Sequence, residues 1–219
     1  RAAVTALQQL GADFSKLKGK SIIAGRPGGM PYMTLLYVLR QHGLEPGSDV
    51  EVISNIQFNL MGGAFESGTG DYVTLFEPTA SAFAAQGKGH IVTNMGLESG
   101  EVPYTTFMMR KDTIENEPGF AAAFVRAIYR AQKWVWAAGD EEVAYAMQSY
   151  FPDTDIATLS AVAKSYRATD SWTRVPTMTE DAFTRLQDIL DGAGELAARI
   201  ELSELVDNSF GEAAISEIG

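Results

Sequence analysis

A glycine-rich turn between two apolar segments is the first place in the chain where chemistry can be expected. Residues 24–31 read AGRPGGMP, between the apolar run at 21–24 and a periodic apolar segment that begins at Met30. This order is typical of a strand, a tight turn and a helix, and it leaves N–H groups and the positive end of a helix dipole at one spot. We expect Gly28, Gly29 and Met30 to present N–H groups to a ligand, with a plain connecting turn as the alternative.

The turn lacks the residues that nucleotide-binding loops require. A P-loop ends in Lys followed by Ser or Thr, and dinucleotide-binding turns carry GxGxxG, whereas RPGGMP has neither pattern. Nucleotide binding therefore has little support in the sequence, and the solute that the turn would meet stays open.

A glutamate at the start of another predicted helix is the second candidate. Glu77 and Pro78 follow the apolar run YVTLF, again at the step from a strand to a helix. A carboxylate in that place is stabilised by the helix dipole, so a purely local role is one interpretation. In the other interpretation, Glu77 faces a cleft and accepts a hydrogen bond from a cationic or amide-bearing ligand.

The third candidate lies where the alternation of strands and helices stops. Pro103 and Tyr104 belong to the segment EVPYTTF, which is followed by helical patterns only. The Tyr104 ring can stack on a ligand or fill a core, and both roles stay open.

The composition excludes several kinds of site. The 219 residues include no cysteine, which removes disulfides, thiolate nucleophiles and cysteine-based zinc sites. The two histidines, His42 and His90, are far apart, so we expect no metal and no cofactor, and we find no catalytic set. The net charge of −11 argues against a nucleic-acid partner, and no apolar stretch is long enough to span a bilayer.

Strands that alternate with helices predict a parallel sheet beneath these candidates. The predicted strands are SIIAG, DVEVIS, DYVTLF and GHIVTNM, with VPYTTFMMRK as one more. The predicted helices between them are MPYMTLLYVLRQHG, FNLMGGAFESGTG and EPTASAFAAQG. We expect about four or five strands flanked by helices, with SIIAG, VEVIS and YVTLF in one sheet.

After residue 112 the pattern becomes almost entirely helical. Helices are predicted in EPGFAAAFVRAIYRAQKWVWAAG, DEEVAYAMQSYF, DIATLSAVAKSY and TEDAFTRLQDILDGAG, with a last one in ELVDNSFGEAAISE. Their apolar faces need a sheet to pack on, and this part of the chain has no strands to build one. We therefore expect self-association, chain exchange or an absent N-terminal segment. Residues 1–13 have helical spacing but little context.

Several segments in a fixed order carry a resemblance to a known family. They are LKGKSIIAGRPGGMP, GTGDYVTLFEPTAS, EVPYTTFMMRKD and FAAAFVRAIYRAQKWV, followed by WTRVPTMTEDAFTRLQDIL and ELVDNSF. Over residues 15–212 this order resembles the periplasmic-type solute-binding proteins of the nitrate/sulfonate/thiamine-precursor group, also called NMT1/THI5-like or SsuA-like. The resemblance implies an α/β, periplasmic-binding-protein-like (type II) fold. Its two lobes, with a parallel or mixed sheet and flanking helices, close on a small solute that an ABC importer takes up.

The resemblance also implies a division of the chain. Residues 1–16 are an N-terminal segment of uncertain role, and residues 17–102 match the second α/β lobe. Residues 103–219 match the crossing strand and the helical return part of the first lobe. The first part of that lobe is expected to be missing, which would explain the shortage of strands after residue 112.

The same resemblance places the candidates around an interlobe cleft. The glycine turn matches a loop that lines the cleft, Glu77 matches the glutamate of the strand-to-helix step, and Tyr104 falls in the crossing segment. Asn55, which follows the second strand, is a candidate by position alone. The predicted ligand-binding residues are Gly28, Gly29, Met30, Asn55, Glu77 and Tyr104.

The predicted function is that of the solute-binding component of an ABC importer. It implies no enzymatic activity, ABC permease subunits as partners, and a place in the periplasm or on the extracellular face of a bacterial membrane. One alternative is a thiamine-pyrimidine biosynthesis enzyme, which resembles this fold family but uses a cysteine-rich loop that this chain lacks. The other is the ligand-sensing domain of a LysR-type regulator, although no helix-turn-helix is present.

The solute class stays open between two chemistries. A helix start with two glycines suits an oxyanion, such as a nitrate or a sulfonate. Glu77, Tyr104, Met30 and Phe76 instead suit a flat, partly apolar heterocycle that carries an amide, such as a pyrimidine or thiamine precursor.

Overall fold

The computed structural model describes residues 13–219. The helical spacing of residues 1–13 therefore lies almost wholly outside the described residues. Contacts divide the chain into two compact units. Unit 1 is the described part of Arg1–Val102 together with Arg185–Ala198, and unit 2 is Pro103–Thr184 together with Arg199–Gly219.

A three-stranded parallel sheet forms the centre of unit 1. Its strands are β1 (Ser21–Ile23), β2 (Glu51–Ile53) and β3 (Tyr72–Val73), and β1 lies in the middle. In the register, Ile22 of β1 lies beside Val52 of β2. The segments SIIAG, VEVIS and YVTLF share one sheet, so this part of the prediction is confirmed.

The central strand is buried because unit 1 covers both of its faces. The side chains of Ile22 and Ile23 point to opposite faces, and both are buried. A short apolar strand with no polar face is what a central parallel strand requires. One cluster of buried side chains packs Ile22 with residues of the helix Met30–Gln41 and the turns around it; it comprises Phe14, Ile22, Ala24, Leu35, Val38, Leu39, Leu44 and Val50.

Short helices connect and flank the strands of unit 1. They are α1 (Met30–Gln41), α2 (Met61–Glu66), α3 (Thr79–Ala85) and α4 (Met95–Ser99), with 3-10 turns at Phe14–Leu17 and Phe58–Leu60. Helix α1 begins where the sequence predicted, because Pro31 is suited to the first turn of a helix.

Unit 2 is built from helices. They are α5 (Lys111–Asn116), α6 (Pro118–Ala137), α7 (Asp140–Met147), α8 (Ile156–Ala168), the first residues of α9 (Glu180–Gly192), α10 (Leu202–Leu205) and α11 (Ser209–Ile218), with a 3-10 turn at Gln148–Tyr150. Helix α7 packs on α8, and α6 packs on α11. The last helix predicted in ELVDNSFGEAAISE is found as α11 (Ser209–Ile218), and residues 206–208 separate it from the short helix α10. Within residues 13–219, no helix is both long and apolar enough to cross a membrane.

The predicted fourth strand, GHIVTNM, is wrong. Residues 90–94 are irregular and lead into α4. The Asn94 side chain accepts hydrogen bonds from the N–H groups of Gly96 and Leu97, and the Thr93 hydroxyl donates to Glu98. These polar residues therefore serve the start of a helix instead of a sheet ladder.

The predicted crossing strand in VPYTTFMMRK is also wrong. Residues 103–110 have no regular secondary structure and lead into α5. A strand forms only where a neighbouring strand accepts its backbone hydrogen bonds. The strands of the described chain all belong to unit 1, whereas residues 103–110 belong to unit 2.

Candidate functional site

The carboxyl ends of the three strands meet at one edge of the sheet in unit 1. The Ala24 N–H donates to the Ile53 carbonyl (2.9 Å), and the Thr74 N–H donates to the Ile23 carbonyl (2.9 Å). These hydrogen bonds continue the ladder by one residue beyond each strand. Open α/β sheets bind ligands outside this edge, so the segments that leave it are the candidate site.

The glycine turn after β1 is a type II turn. Pro27 and Gly28 occupy its two central positions, Gly28 has φ +75°, and the Gly29 N–H donates to the Arg26 carbonyl (3.1 Å). Gly29 has φ −89°, so the left-handed conformation is required of Gly28 and not of Gly29. Of the N–H groups expected to face a ligand, that of Gly29 is already paired within the turn.

A carboxylate from far along the chain lies against this turn. A Cβ atom added to Gly28 would lie 3.4 Å from Oε1 of Glu195, which follows α9. No local sequence pattern indicates this neighbour, because Glu195 and Gly28 come together only when the end of α9 packs in unit 1.

The Glu77 carboxylate caps helix α3. One of its oxygens accepts the N–H of Ser81 (2.9 Å) and the other accepts the Ser81 hydroxyl (2.8 Å). These contacts favour the local role that a glutamate at a helix start has. A contact between Glu77 and a ligand stays a prediction.

An aromatic pocket opens beyond the carboxyl end of β3. Its volume is about 190 Å³. The Phe58 and Phe76 rings, which both line it, contact each other in a tilted arrangement, with their centroids 5.3 Å apart and their planes at 46°. We call this the aromatic pocket, and it is lined by Phe58, Asn59, Gly62, Gly63, Leu75, Phe76, Thr79 and Phe83.

The wall of the aromatic pocket depends on a glycine in α2. A Cβ atom at Gly62 would lie 2.8 Å from Cζ of Phe83, closer than van der Waals contact allows. A Cβ atom at Gly63, the next residue, would meet no atom within 4 Å. The first glycine therefore lets the Phe83 ring lie directly on the helix.

Asn55 lies on an open groove along β2. The groove has a volume of about 620 Å³ and is lined by Glu51, Val52, Ile53, Ser54, Asn55, Ile56 and Thr69. Asn55 is exposed, and it follows β2 at the same edge of the sheet as the glycine turn.

Tyr104 belongs to unit 2, unlike the other predicted site residues. Its side chain is 49% exposed. Partial burial raises the pKa of the Tyr104 phenol above its ordinary value, and the nearby Tyr166 adds to the shift.

The structure thus brings five of the six predicted residues to one edge of unit 1, and their contact with a ligand stays a prediction. Phe58, Phe83 and Glu195 were missed by the sequence-based prediction. The doublet Gly62–Gly63 was the available signal for the aromatic pocket, because adjacent glycines in a short helix often allow a close approach.

Neither a metal nor a histidine site emerges from the described residues. Within residues 13–219, no group of three or more His, Cys, Asp or Glu side chains is placed to hold a metal ion. The His42 ring stacks on the Phe14 ring at a centroid distance of 3.7 Å. Its Nε2 atom lies 3.2 Å from Oε2 of Glu98, so this contact joins the end of α1 to α4.

Comparison with known proteins places the chain in a family. A family model described as the NMT1-like family matches residues 2–149. "Putative binding protein YtlA" of Bacillus subtilis (strain 168) is 41% identical over 205 residues, which cover 94% of this chain and 61% of that protein. Nitrate/nitrite binding protein NrtA of Synechocystis sp. (strain ATCC 27184 / PCC 6803 / Kazusa) is 26% identical over 137 residues, which cover 59% of this chain and 29% of that protein.

The chain spans less than two thirds of the length of both relatives. Both relatives are named as binding proteins, which agrees with a sheet edge that carries a pocket. Because the family match extends over most of the chain, this protein belongs to the NMT1-like family.

Proposed function

We propose that this protein binds a small solute for an ABC importer outside the cytoplasm and catalyses no reaction. The aromatic pocket at the carboxyl edge of the sheet is the observation that carries this proposal. The names of the relatives support a binding role. ABC permease subunits would be its protein partners, as for solute-binding proteins that deliver their ligand to a membrane complex.

The pocket chemistry favours a flat heterocycle over an inorganic oxyanion. Phe58, Phe76 and Phe83 offer ring faces and edges, and Asn59 and Thr79 offer an amide and a hydroxyl. No charged side chain is among the lining residues that the structure describes. A nitrate or sulfonate would lose its hydration without gaining a cation, which is costly in apolar surroundings.

The size of the pocket limits the solute to about one ring. Pockets for drug-sized ligands have volumes of roughly 300–1,000 Å³. The aromatic pocket, at about 190 Å³, is smaller. Of the solute classes considered, a pyrimidine or thiamine precursor fits this volume and these walls best, because its ring can stack while its ring nitrogens reach the amide and the hydroxyl.

The other predicted residues of unit 1 do not line the aromatic pocket, and a contact between them and a solute stays a prediction. The N–H groups of Gly28 and Met30 lie at the same sheet edge, as do Asn55 and Glu77. Tyr104, in unit 2, stays a predicted ligand-binding residue.

Calorimetric titration of the 219-residue chain with 4-amino-2-methylpyrimidine and with sodium nitrate tests the proposal. The pyrimidine should bind, and nitrate should bind at least tenfold more weakly, a difference of about 1.4 kcal/mol. Phe76→Ala should weaken pyrimidine binding about tenfold, because a stacked ring pair and its buried area are lost.

Phe107→Ala is the matched control, because Phe107 is 70% exposed and belongs to unit 2. It should leave pyrimidine affinity unchanged. Nitrate binding tighter than pyrimidine binding, or a Phe76→Ala variant with full affinity, would contradict the proposal.

Self-association is the second partner proposal. In unit 2, Met108 is 93% exposed and Phe107 is 70% exposed. Water contact with large apolar side chains is unfavourable, so a second copy that covers them would stabilise the chain. Light scattering should report a mass above that of the monomer, reduced in Met108→Glu; a monomer for both proteins would refute this.

A further inference from the structure

Strand β2 lies at an edge of the sheet in unit 1. The strand order is β2, β1, β3, so β2 pairs with β1 on one side only. The Glu51 N–H and the Ile53 carbonyl each form a 2.9 Å hydrogen bond with a residue that flanks β1. Main-chain groups alternate in direction along a strand, so those of Glu51 and Ile53 face β1, and those of Val52 and Ser54 face away from it.

The outward main-chain groups of Val52 and Ser54 are available to another strand. Within residues 13–219, neither residue forms a main-chain hydrogen bond on this side of β2. The turn before β2 closes the amino end of the same edge, since the Gly47 N–H donates to the Val50 carbonyl (2.8 Å). An unpaired strand edge is a template for β-addition, in which an extended peptide joins the sheet through main-chain hydrogen bonds.

The open groove along β2, which we call the β2 groove, gives an added strand room to lie beside this edge. Its volume is about 620 Å³, and its lining runs without interruption from Glu51 to Ile56 and includes Thr69. A strand rises by about 3.3 Å per residue, so β2 and its extension to Ser54 span roughly 13 Å. About four residues of a partner segment can therefore pair along the open part of the edge.

The charge of the β2 groove favours a basic partner. Glu51 is exposed and is the only charged residue among the groove-lining residues that the structure describes. The basic side chains that precede β1 are paired elsewhere, since Lys18 lies 3.0 Å from Asp49 and Lys20 lies 3.5 Å from Asp71. A second copy of the chain would bring a second Glu51 to this edge and a net charge of −11, so it is disfavoured relative to a basic segment.

We infer that the β2 edge binds an extended, basic segment of a partner protein by β-addition. The outward main-chain groups of Val52 and Ser54 form hydrogen bonds with alternate residues of that segment, and Glu51 pairs with one of its lysine or arginine side chains. The β2 groove and the aromatic pocket share no lining residue. The inference therefore goes beyond the proposed function and does not depend on the identity of the solute.

Peptide probes with blocked ends test the inference. The probe acetyl-Lys-Val-Thr-Val-Thr-Lys-amide is titrated into the isotope-labelled 219-residue chain, and the amide resonances are followed by NMR. The Val52 amide should shift. Binding should be about fivefold tighter than for the same peptide with glutamates in place of both lysines, which is the size of an exposed ion pair. High salt should reduce this preference.

Two N-methylated forms of the probe test the main-chain hydrogen bonds. One form is methylated at the N–H groups of both valines, and the other at those of both threonines. In an added strand, the N–H groups of alternate residues face the edge, so one form should lose binding and the other should keep it.

Two variants of the chain test the same contacts from the other side. Ser54→Pro removes an outward N–H and leaves the hydrogen bonds of Glu51 and Ile53 to the β1 chain in place, so it should weaken binding of the lysine probe about tenfold. Glu51→Lys should reverse the charge preference, so that the glutamate peptide binds more tightly. Glu115→Lys is the control, because Glu115 is an exposed carboxylate of unit 2 and its replacement changes the net charge equally. It should keep the preference for lysine.

Equal binding of the two N-methylated forms would overturn the inference, because a main-chain ladder distinguishes them. A preference for lysine that survives in Glu51→Lys would also overturn it, as would no binding of the lysine probe at millimolar concentration. The resonances of the β1 amides report whether each variant is folded. None of these outcomes bears on solute binding, so the proposed function is tested separately.

Discussion

Alanine substitutions at two adjacent glycines of α2 test whether Phe83 packs on this helix in the wall of the aromatic pocket. Gly62 and Gly63 occupy the same short helix and line the same pocket. Replacing either by alanine removes a flexible residue from a helix, which stabilises by roughly 0.5–1 kcal/mol. The difference between the two variants therefore reports what each new methyl group meets.

The methyl group at position 62 meets the Phe83 ring. It would lie 2.8 Å from Cζ and 3.3 Å from Cε2, so the ring must shift. Overpacking costs about 1–3 kcal/mol, and the lower value applies because the contact is with the tip of a half-buried side chain. Gly63→Ala should therefore stabilise unit 1, and Gly62→Ala should not. The expected difference is about 1 kcal/mol.

Hydrogen exchange of the β1 amides, followed by mass spectrometry, measures the opening free energy of unit 1 in both variants. Equal stabilisation by the two alanines would show that Phe83 does not pack on Gly62. The wall assigned to the pocket would then be wrong.

Two further predictions concern the packing of unit 2 and the sheet of unit 1. Arg167 donates to two carbonyl groups at the end of α6 (2.8 and 2.7 Å) and pairs with Asp140, so Arg167→Met should lower the free energy of unfolding by about 2–3 kcal/mol in urea. Arg110→Met removes an exposed ion pair and is the control variant, which should leave the urea transition unchanged. Equal changes in the free energy of unfolding for the two variants would show that the contacts of Arg167 do not stabilise unit 2. Hydrogen bonds from the Ser21 N–H and hydroxyl hold the pKa of Asp71 below its ordinary value. The ionised carboxylate therefore stabilises the folded state fully at pH values above the pKa of Asp71 in the unfolded chain. This stabilisation is lost as the pH falls through the lower pKa of the folded state. Asp71→Asn should have a lower free energy of unfolding than wild type at pH 7, and this free energy should fall less than that of wild type below about pH 4. Urea denaturation at several pH values measures both free energies, and parallel pH profiles for the two proteins would contradict the prediction.

The parts of the fold that local sequence patterns determine were predicted correctly. The strand β1 and the helix α1 are separated by a turn whose proline and glycines have a strong conformational preference. The long helix α6 was predicted because its apolar residues recur with helical spacing over many turns. In both places the residues that decide the structure are neighbours in sequence.

The errors arose where a partner decides the structure. Residues 103–110 alternate like a strand, but no pattern within a segment reports whether another strand lies beside it. GHIVTNM has a similar apolar run, and Asn94 instead caps α4. Short apolar runs are therefore ambiguous without the neighbour that would complete a sheet.

In the candidate site, too, features that depend on neighbouring residues were predictable, and features that depend on distant segments were not. The glycine turn and Glu77 were predictable because each lies at a strand-to-helix step. Phe58 and Phe83 line one pocket only because Phe83 of α3 packs on Gly62 of α2, and Glu195 reaches Gly28 only through the end of α9. Such contacts between distant segments leave no local signature, so the pocket and the neighbour of the glycine turn could be found only from the structure.

A crystal structure of the chain with 4-amino-2-methylpyrimidine at saturating concentration shows whether the aromatic pocket binds the solute. We expect electron density for the ring in the aromatic pocket, against Phe58 and Phe76, with a ring nitrogen or the amino group within hydrogen-bond distance of Asn59 or Thr79. An empty aromatic pocket, or a ring bound elsewhere on the chain, would contradict it.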